Sequence, residues 1–172
     1  LLLSALLPGC TSRQEAPVPA SNPIRFQISS EPVSLDPSLI EDGNGLRLIA
    51  NLMDGLVGYD GAGQLRFLLA ESVKTSEDGL RYEFWLRKGA VWSDGVPVVA
   101  SQFVHALRRA LDPSTGSKLA DLLYPIRGAR AVAQRKTAEL GVQAPTPDRL
   151  VIELEYALPT FLETLTLPQA CP

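Results

Sequence analysis

The chain reads as a mixed α/β fold built with several antiparallel strand pairs. Three observations carry this reading. Leu80–Leu86 sets Tyr82, Phe84 and Leu86 against Arg81, Glu83 and Trp85, and Arg149–Leu154 sets Leu150, Ile152 and Leu154 against Val151 and Glu153, each beside a tight-turn sequence. Ala100–Leu111 carries apolar residues at three-four spacing, the period of a helix with one buried face. Segments of the two periods alternate along the chain, and no internal repeat of fixed length organises them.

Ile24–Ser29 begins the folded part as a strand, with Ile24, Phe26 and Ile28 alternating with Arg25, Gln27 and Ser29. Pro32 and Pro37 interrupt the chain, and Asp42-Gly43-Asn44-Gly45 reads as a loop. A helix is expected over about Leu46–Met53, burying Leu48, Ile49, Leu52 and Met53. Asp60-Gly61-Ala62-Gly63 is a turn. Val73–Thr75 and Leu80–Leu86 form a hairpin across Ser76-Glu77-Asp78-Gly79, with Tyr82, Phe84 and Leu86 on one face. Lys88-Gly89 and Ser93-Asp94-Gly95 turn the chain on either side of Val91-Trp92. The helix Ala100–Leu111 follows. Its face is Phe103, Leu107, Ala110 and Leu111, Arg108 and Arg109 suit its carboxyl end, and Pro113 stops it. Leu119–Leu123 adds a helical turn. Ala129–Leu140 is a second helix, with Arg127, Arg130, Arg135 and Lys136 as a solvated group. Val142–Ala144 and Arg149–Leu154 pair as a hairpin around Pro145-Thr146-Pro147-Asp148, and Pro159–Leu167 is apolar and compatible with a helix.

Composition excludes several function classes. Of 172 residues, 45% are apolar and 20% charged, values of a chain that buries a core. A net charge of −3 with no basic stripe argues against a nucleic-acid binder. There is one histidine, His105, and the two cysteines, Cys10 and Cys171, stand at opposite ends, so no zinc-ligand cluster is spelled and no metal or cofactor is expected. A hydrolase needs a nucleophile with a positioned base, and His105 is the single histidine available for it; a surface or half-buried packing role is expected instead.

The ends carry their own signals. Leu1–Leu7 is almost wholly apolar and precedes Pro8-Gly9-Cys10, which reads as the apolar region and cleavage site of a secretory signal whose basic start and initiator Met are missing. Leu7, Gly9 and Cys10 resemble a bacterial lipobox, with Pro8 a departure from the usual small or β-branched residue. In that reading Cys10 carries the lipid that anchors the protein to a membrane. Thr11–Pro23, rich in Pro and Ser, is a flexible tether. The chain stops after Gln169-Ala170-Cys171-Pro172 without a polar tail, as a truncated product or fragment would.

The most specific stretch is Leu86-Arg87-Lys88-Gly89-Ala90-Val91-Trp92-Ser93-Asp94-Gly95-Val96-Pro97-Val98. It resembles the signature of the family 5 bacterial solute-binding proteins, the oligopeptide- and dipeptide-binding class. Ser34-Leu35-Asp36-Pro37, Asp54-Gly55-Leu56, Leu69-Ala70-Glu71-Ser72 and Asp112-Pro113 fit the same family in order, and the oligopeptide branch fits best. One departure is Val99-Ala100-Ser101-Gln102, where the family has Thr-Ala-acid-Asp. Val99 lacks the capping hydroxyl, while Gln102 keeps half of a capping box.

The resemblance implies a partial type II periplasmic-binding-protein-like fold. Residues 1–9 would be a signal remnant and 10–23 the anchored tether. Residues 24–45 would begin lobe I, 46–156 form the small lobe, and 157–172 start the return into lobe I. It implies a monomeric, non-enzymatic substrate-binding component of an ABC importer. Such a protein holds extended peptide outside the cytoplasmic membrane, in the periplasm or at the cell surface, and hands it to permease subunits. The loop Glu41, Asp42, Gly43 and Asn44 would line the cleft, Asp42 and Gly43 through backbone and Glu41 against a basic group. Leu119 stands where relatives carry a contacting aromatic, and His105 where they often carry Tyr. Family ligands include oligopeptides, dipeptides, murein peptides, nickel complexes and haem. Because relatives run to roughly three times this length, a remnant that folds without binding ligand is the alternative.

Overall fold

The computed structural model describes residues 27–172. The signal segment, Cys10, the tether and the first half of the expected strand at 24–29 lie outside them. Residues 27–29 are not in a strand; Ile28 is half-buried, and among the described residues no strand pairs with this segment.

After a 3₁₀ turn at Pro37–Leu39, helix α1 spans Gly43–Leu52. It starts three residues before the expected position, because Asp42 caps it: Oδ1 accepts from the N–H of Asn44 (3.0 Å) and of Gly45 (2.9 Å). The sequence Asp42-Gly43-Asn44-Gly45 is therefore a helix start and not a free loop. The expected buried face is also narrower. Ile49 is buried, but Leu52 is 64% exposed.

Strands β1 (Val57–Tyr59) and β2 (Leu65–Phe67) pair around the turn at Asp60–Gly63. Three residues each are too short for a visible alternation. A four-stranded antiparallel sheet follows, from β3 (Ala70–Thr75), β4 (Arg81–Leu86), β5 (Val142–Thr146) and β6 (Arg149–Glu153), in the order β3-β4-β6-β5. Both expected hairpins are present. They join through β4 and β6, Tyr82 opposite Ile152 and Phe84 opposite Leu150. β6 is thus an inner strand, and Val151 is buried along with Leu150 and Ile152.

Helix α2 covers Ala100–Leu111, as its periodicity requires, and buries Phe103, Leu107, Ala110 and Leu111 in one core with Tyr82, Phe84, Leu86, Leu150 and Ile152. Gln102 Oε1 accepts from the Val99 N–H (2.9 Å) and from the Trp92 indole N–H (3.2 Å). Half of a capping box is thereby formed, tied to the signature Trp. The other half is absent because Val99 carries no acceptor. Val99→Thr supplies one, and is expected to raise stability by about 1 kcal/mol, visible as a higher midpoint in urea unfolding with an unchanged slope.

The second long helix is not formed. Helix α3 covers only Ala129–Ala133. Arg135 adopts φ 56°, and Lys136 and Arg135 donate to the carbonyls of Ala131 and Val132 (both 2.9 Å), the paired bonds of a left-handed helix stop. The chain must turn there so that Leu140 and Val142 reach the core. The basic group stays exposed, and three of its four members have partners: Arg127 pairs with Glu153, Arg135 with Asp112 (3.6 Å), and Arg130 lies 5.0 Å from the Tyr124 ring centre. A single turn of helix, α4 (Phe161–Thr164), and a 3₁₀ turn at Pro168–Ala170 close the described chain, with Phe161 tilted against Tyr82 at 4.9 Å. Among the described residues no helix is long and apolar enough to cross a membrane.

Candidate functional site

The expected ligand loop is held by its surroundings. Upstream, Asp36 caps the first 3₁₀ turn by accepting from the Ser38 N–H (3.0 Å). Arg109, from the last turn of α2, grips both oxygens of Asp36 and donates to Ser38 Oγ (3.0 Å). The guanidinium beside Asp36 holds its carboxyl below the usual carboxylate range. Arg109 is thus a partner of the Ser-Leu-Asp-Pro segment, a role beyond its fit to the helix dipole.

Glu41 forms an ion pair with Lys118 (2.8 Å). The Lys118 side chain is 73% exposed, so this pair is weak and exchangeable, worth about 0–1 kcal/mol. It has a geometric consequence: it brings the Leu119 segment beside the 41–44 segment. Leu119 is half-buried and precedes the 3₁₀ turn Ala120–Leu123. Two expected site positions far apart in sequence therefore meet through Lys118, a residue the sequence reading passed over.

Asn44 faces the other way. Its Nδ2 donates to the Ser30 carbonyl (3.1 Å) and hydroxyl (2.8 Å), fixing residues 29–30 against the start of α1. The open hollow between them, about 410 Å³, is lined by Ser29, Ser30, Asp42, Gly43, Asn44 and Arg47. The Asp42 carbonyl accepts from the Leu46 N–H (3.0 Å). Among the described residues the N–H groups of Asp42 and Gly43 meet no acceptor, which leaves two backbone donors at a helix start. Such a face can accept an extended backbone or an anionic group. His105 is exposed on α2, away from this face, and among the described residues no group of three His, Cys, Asp or Glu side chains is placed to hold a metal ion.

A more enclosed hollow of about 320 Å³ lies between α1, β1 and the last residues, lined by Leu46, Ile49, Met53, Tyr59, Leu68 and Cys171 among others. The Cys171 thiol is buried there, and burial together with Asp54 pushes its pKa up to about 11, so it stays protonated and unreactive at neutral pH.

The fold and the signature segment define a class of protein. Residues 64–171 match the family described as bacterial extracellular solute-binding proteins, family 5 Middle, and the chain belongs to that family. A probable deoxycholate-binding periplasmic protein of Escherichia coli strain K12 is 36% identical over 167 residues, covering 91% of this chain and 31% of its own. The oligopeptide-binding protein OppA of Bacillus subtilis strain 168 is 35% identical over 81% of this chain and 26% of its own. In structure, Haemophilus influenzae OppA in complex with RPPGFSPFR matches with TM-score 0.81 and 34% identity over 83% of this chain and 29% of its own. The chain therefore spans about 30% of the length of these relatives. The α/β fold and its partial coverage of a periplasmic peptide-binding architecture agree with the sequence reading.

Proposed function

We propose that this chain contributes to the substrate-binding component of an ABC importer that captures peptides outside the cytoplasmic membrane. The observation that supports the reading best is the match at TM-score 0.81 to an OppA structure containing a nonapeptide. In this reading residues 24–45 begin lobe I, 46–156 form the small lobe and 157–172 return toward lobe I. Glu41, Asp42, Gly43, Asn44 and Leu119 line one wall of the cleft. Asp42 and Gly43 offer backbone N–H groups to peptide carbonyls, as a strand edge would. Lys118 is added to that wall, because releasing Glu41 from it frees one charge of each sign for a ligand's termini. The protein acts as a monomer, is not an enzyme, delivers ligand to permease subunits and is held at the membrane by lipid on Cys10. Palmitate labelling that survives Cys10→Ser would exclude the anchor.

Calorimetry with a mixed tripeptide pool tests the capture step. Saturable heat with this chain is the expected result. Silence at millimolar peptide would favour the alternative, a folded segment that binds nothing without the rest of its relatives' length. The E. coli relative named for deoxycholate motivates the same titration with that steroid; heat with deoxycholate and none with peptide would move the ligand class.

A further inference from the structure

The polar side chains buried among the described residues are two, Ser38 and Gln169, 5% and 1% exposed. Both bear on the segment that leads into residues 41–44. Ser38 receives Arg109, and Gln169 Nε2 donates to the carbonyl of Ile40 (3.1 Å) across 129 positions of sequence. Leu or Met would be the ordinary occupant of so buried a place. The amide is also only half satisfied, since its Oε1 has no partner, and an unpaired buried oxygen lowers stability. The segment it holds has no sheet ladder of its own. Ile40 lies between a 3₁₀ turn and the cap of α1, packed so closely that a Cβ at Gly45 would stand 3.1 Å from both Ile40 Cγ2 and Asp42 Oδ2. Where the Ile40 carbonyl is fixed, Asp42 is fixed, and with it the start of α1.

We propose that Gln169 is a positioning residue that sets the backbone of Ile40–Asp42 and so pre-organises the donor face of Asp42 and Gly43. The ligand consequence rests on the peptide-capture reading; the positioning itself does not. A loop already ordered loses less freedom on binding, and affinity rises accordingly.

The test is amide hydrogen exchange on the full chain, wild type against Gln169→Met, a near-isosteric change that removes the donor and also the unpaired oxygen. Protection at the Asn44, Gly45 and Leu46 amides, all of which donate to Asp42, is expected to fall at least tenfold while amides of β4 and β6 keep theirs. A merely structural role lowers protection through the sheet as well, and that uniform loss, or no change at 44–46, overturns the proposal. Gln169→Glu, which keeps the volume and loses the donor in its ionised form, gives the same local pattern if Gln169→Met does not fold; unchanged protection in it overturns the proposal equally. Peptide affinity measured on the same samples is expected to weaken about tenfold. A local exchange change in a chain whose wild type gives no peptide heat leaves the positioning standing and removes the capture reading instead.

Discussion

Gly128→Ala lowers stability by about 3 kcal/mol or more, which is large among single substitutions. Two effects add. Gly128 sits at φ 76°, where an L side chain is strained by about 1 kcal/mol or somewhat more. A Cβ there would also stand 2.4 Å from the backbone oxygen of Glu139. That oxygen cannot rotate away as a side chain would, because the chain is pinned two residues further on, at Gly141. The Gly141 N–H donates to Arg127 (2.7 Å), Arg127 to Glu153 (2.8 Å), and Glu153 back to Gly141 (2.7 Å). Three segments cross at this point, and a methyl group must separate them. Thermal unfolding is expected about 10 °C lower than wild type. A shift under 2 °C would mean that the crossing yields more easily than its hydrogen bonds imply.

Phe84→Ala is expected to lower stability by about 3–5 kcal/mol, through lost transfer energy and the cavity left behind. Phe84 is fully buried at the centre of the sheet, opposite Val73 on one side and Leu150 on the other, and shares the core with the buried face of α2. Little surrounds it that can collapse inward, since both neighbouring strands are held by ladders. Urea unfolding reads the effect directly. A conservative control is Val151→Ala, on the opposite face of β6, which removes fewer methyl groups and should lose less.

Much of this core was legible beforehand. Tyr82, Phe84 and Leu86 announce a buried strand face by alternation alone, and α2 by its spacing, because both elements are long enough for a period to repeat and both bury one clean face. The failures have different causes. Ala129–Leu140 is rich in good helix formers, yet local propensity lost to the need to bring Leu140 and Val142 into the core, and Arg135 took the left-handed turn. Asp42-Gly43-Asn44-Gly45 has the composition of a loop, and Asp42 uses the same chemistry as a cap. For the candidate site, Glu41–Asn44 and Leu119 could be named from the resemblance. What joins them could not. Lys118 and Arg109 meet Glu41 and Asp36 over more than 70 positions of sequence. Gln169, in the final residues, gives no periodic or motif signal at all.

The strand order β3-β4-β6-β5 has a kinetic consequence. Each hairpin needs only a short loop and can form in about 1–10 μs. Joining them brings together residues such as Arg81 and Glu153, 72 positions apart, at an entropic cost of closure of about 4 kcal/mol before the ladder is gained. Helix α2 lies within that loop and shortens it when formed early. Until β4 meets β6, each hairpin keeps an unpaired edge in water. Refolding yield should therefore fall as protein concentration rises, while the midpoint of equilibrium unfolding stays fixed.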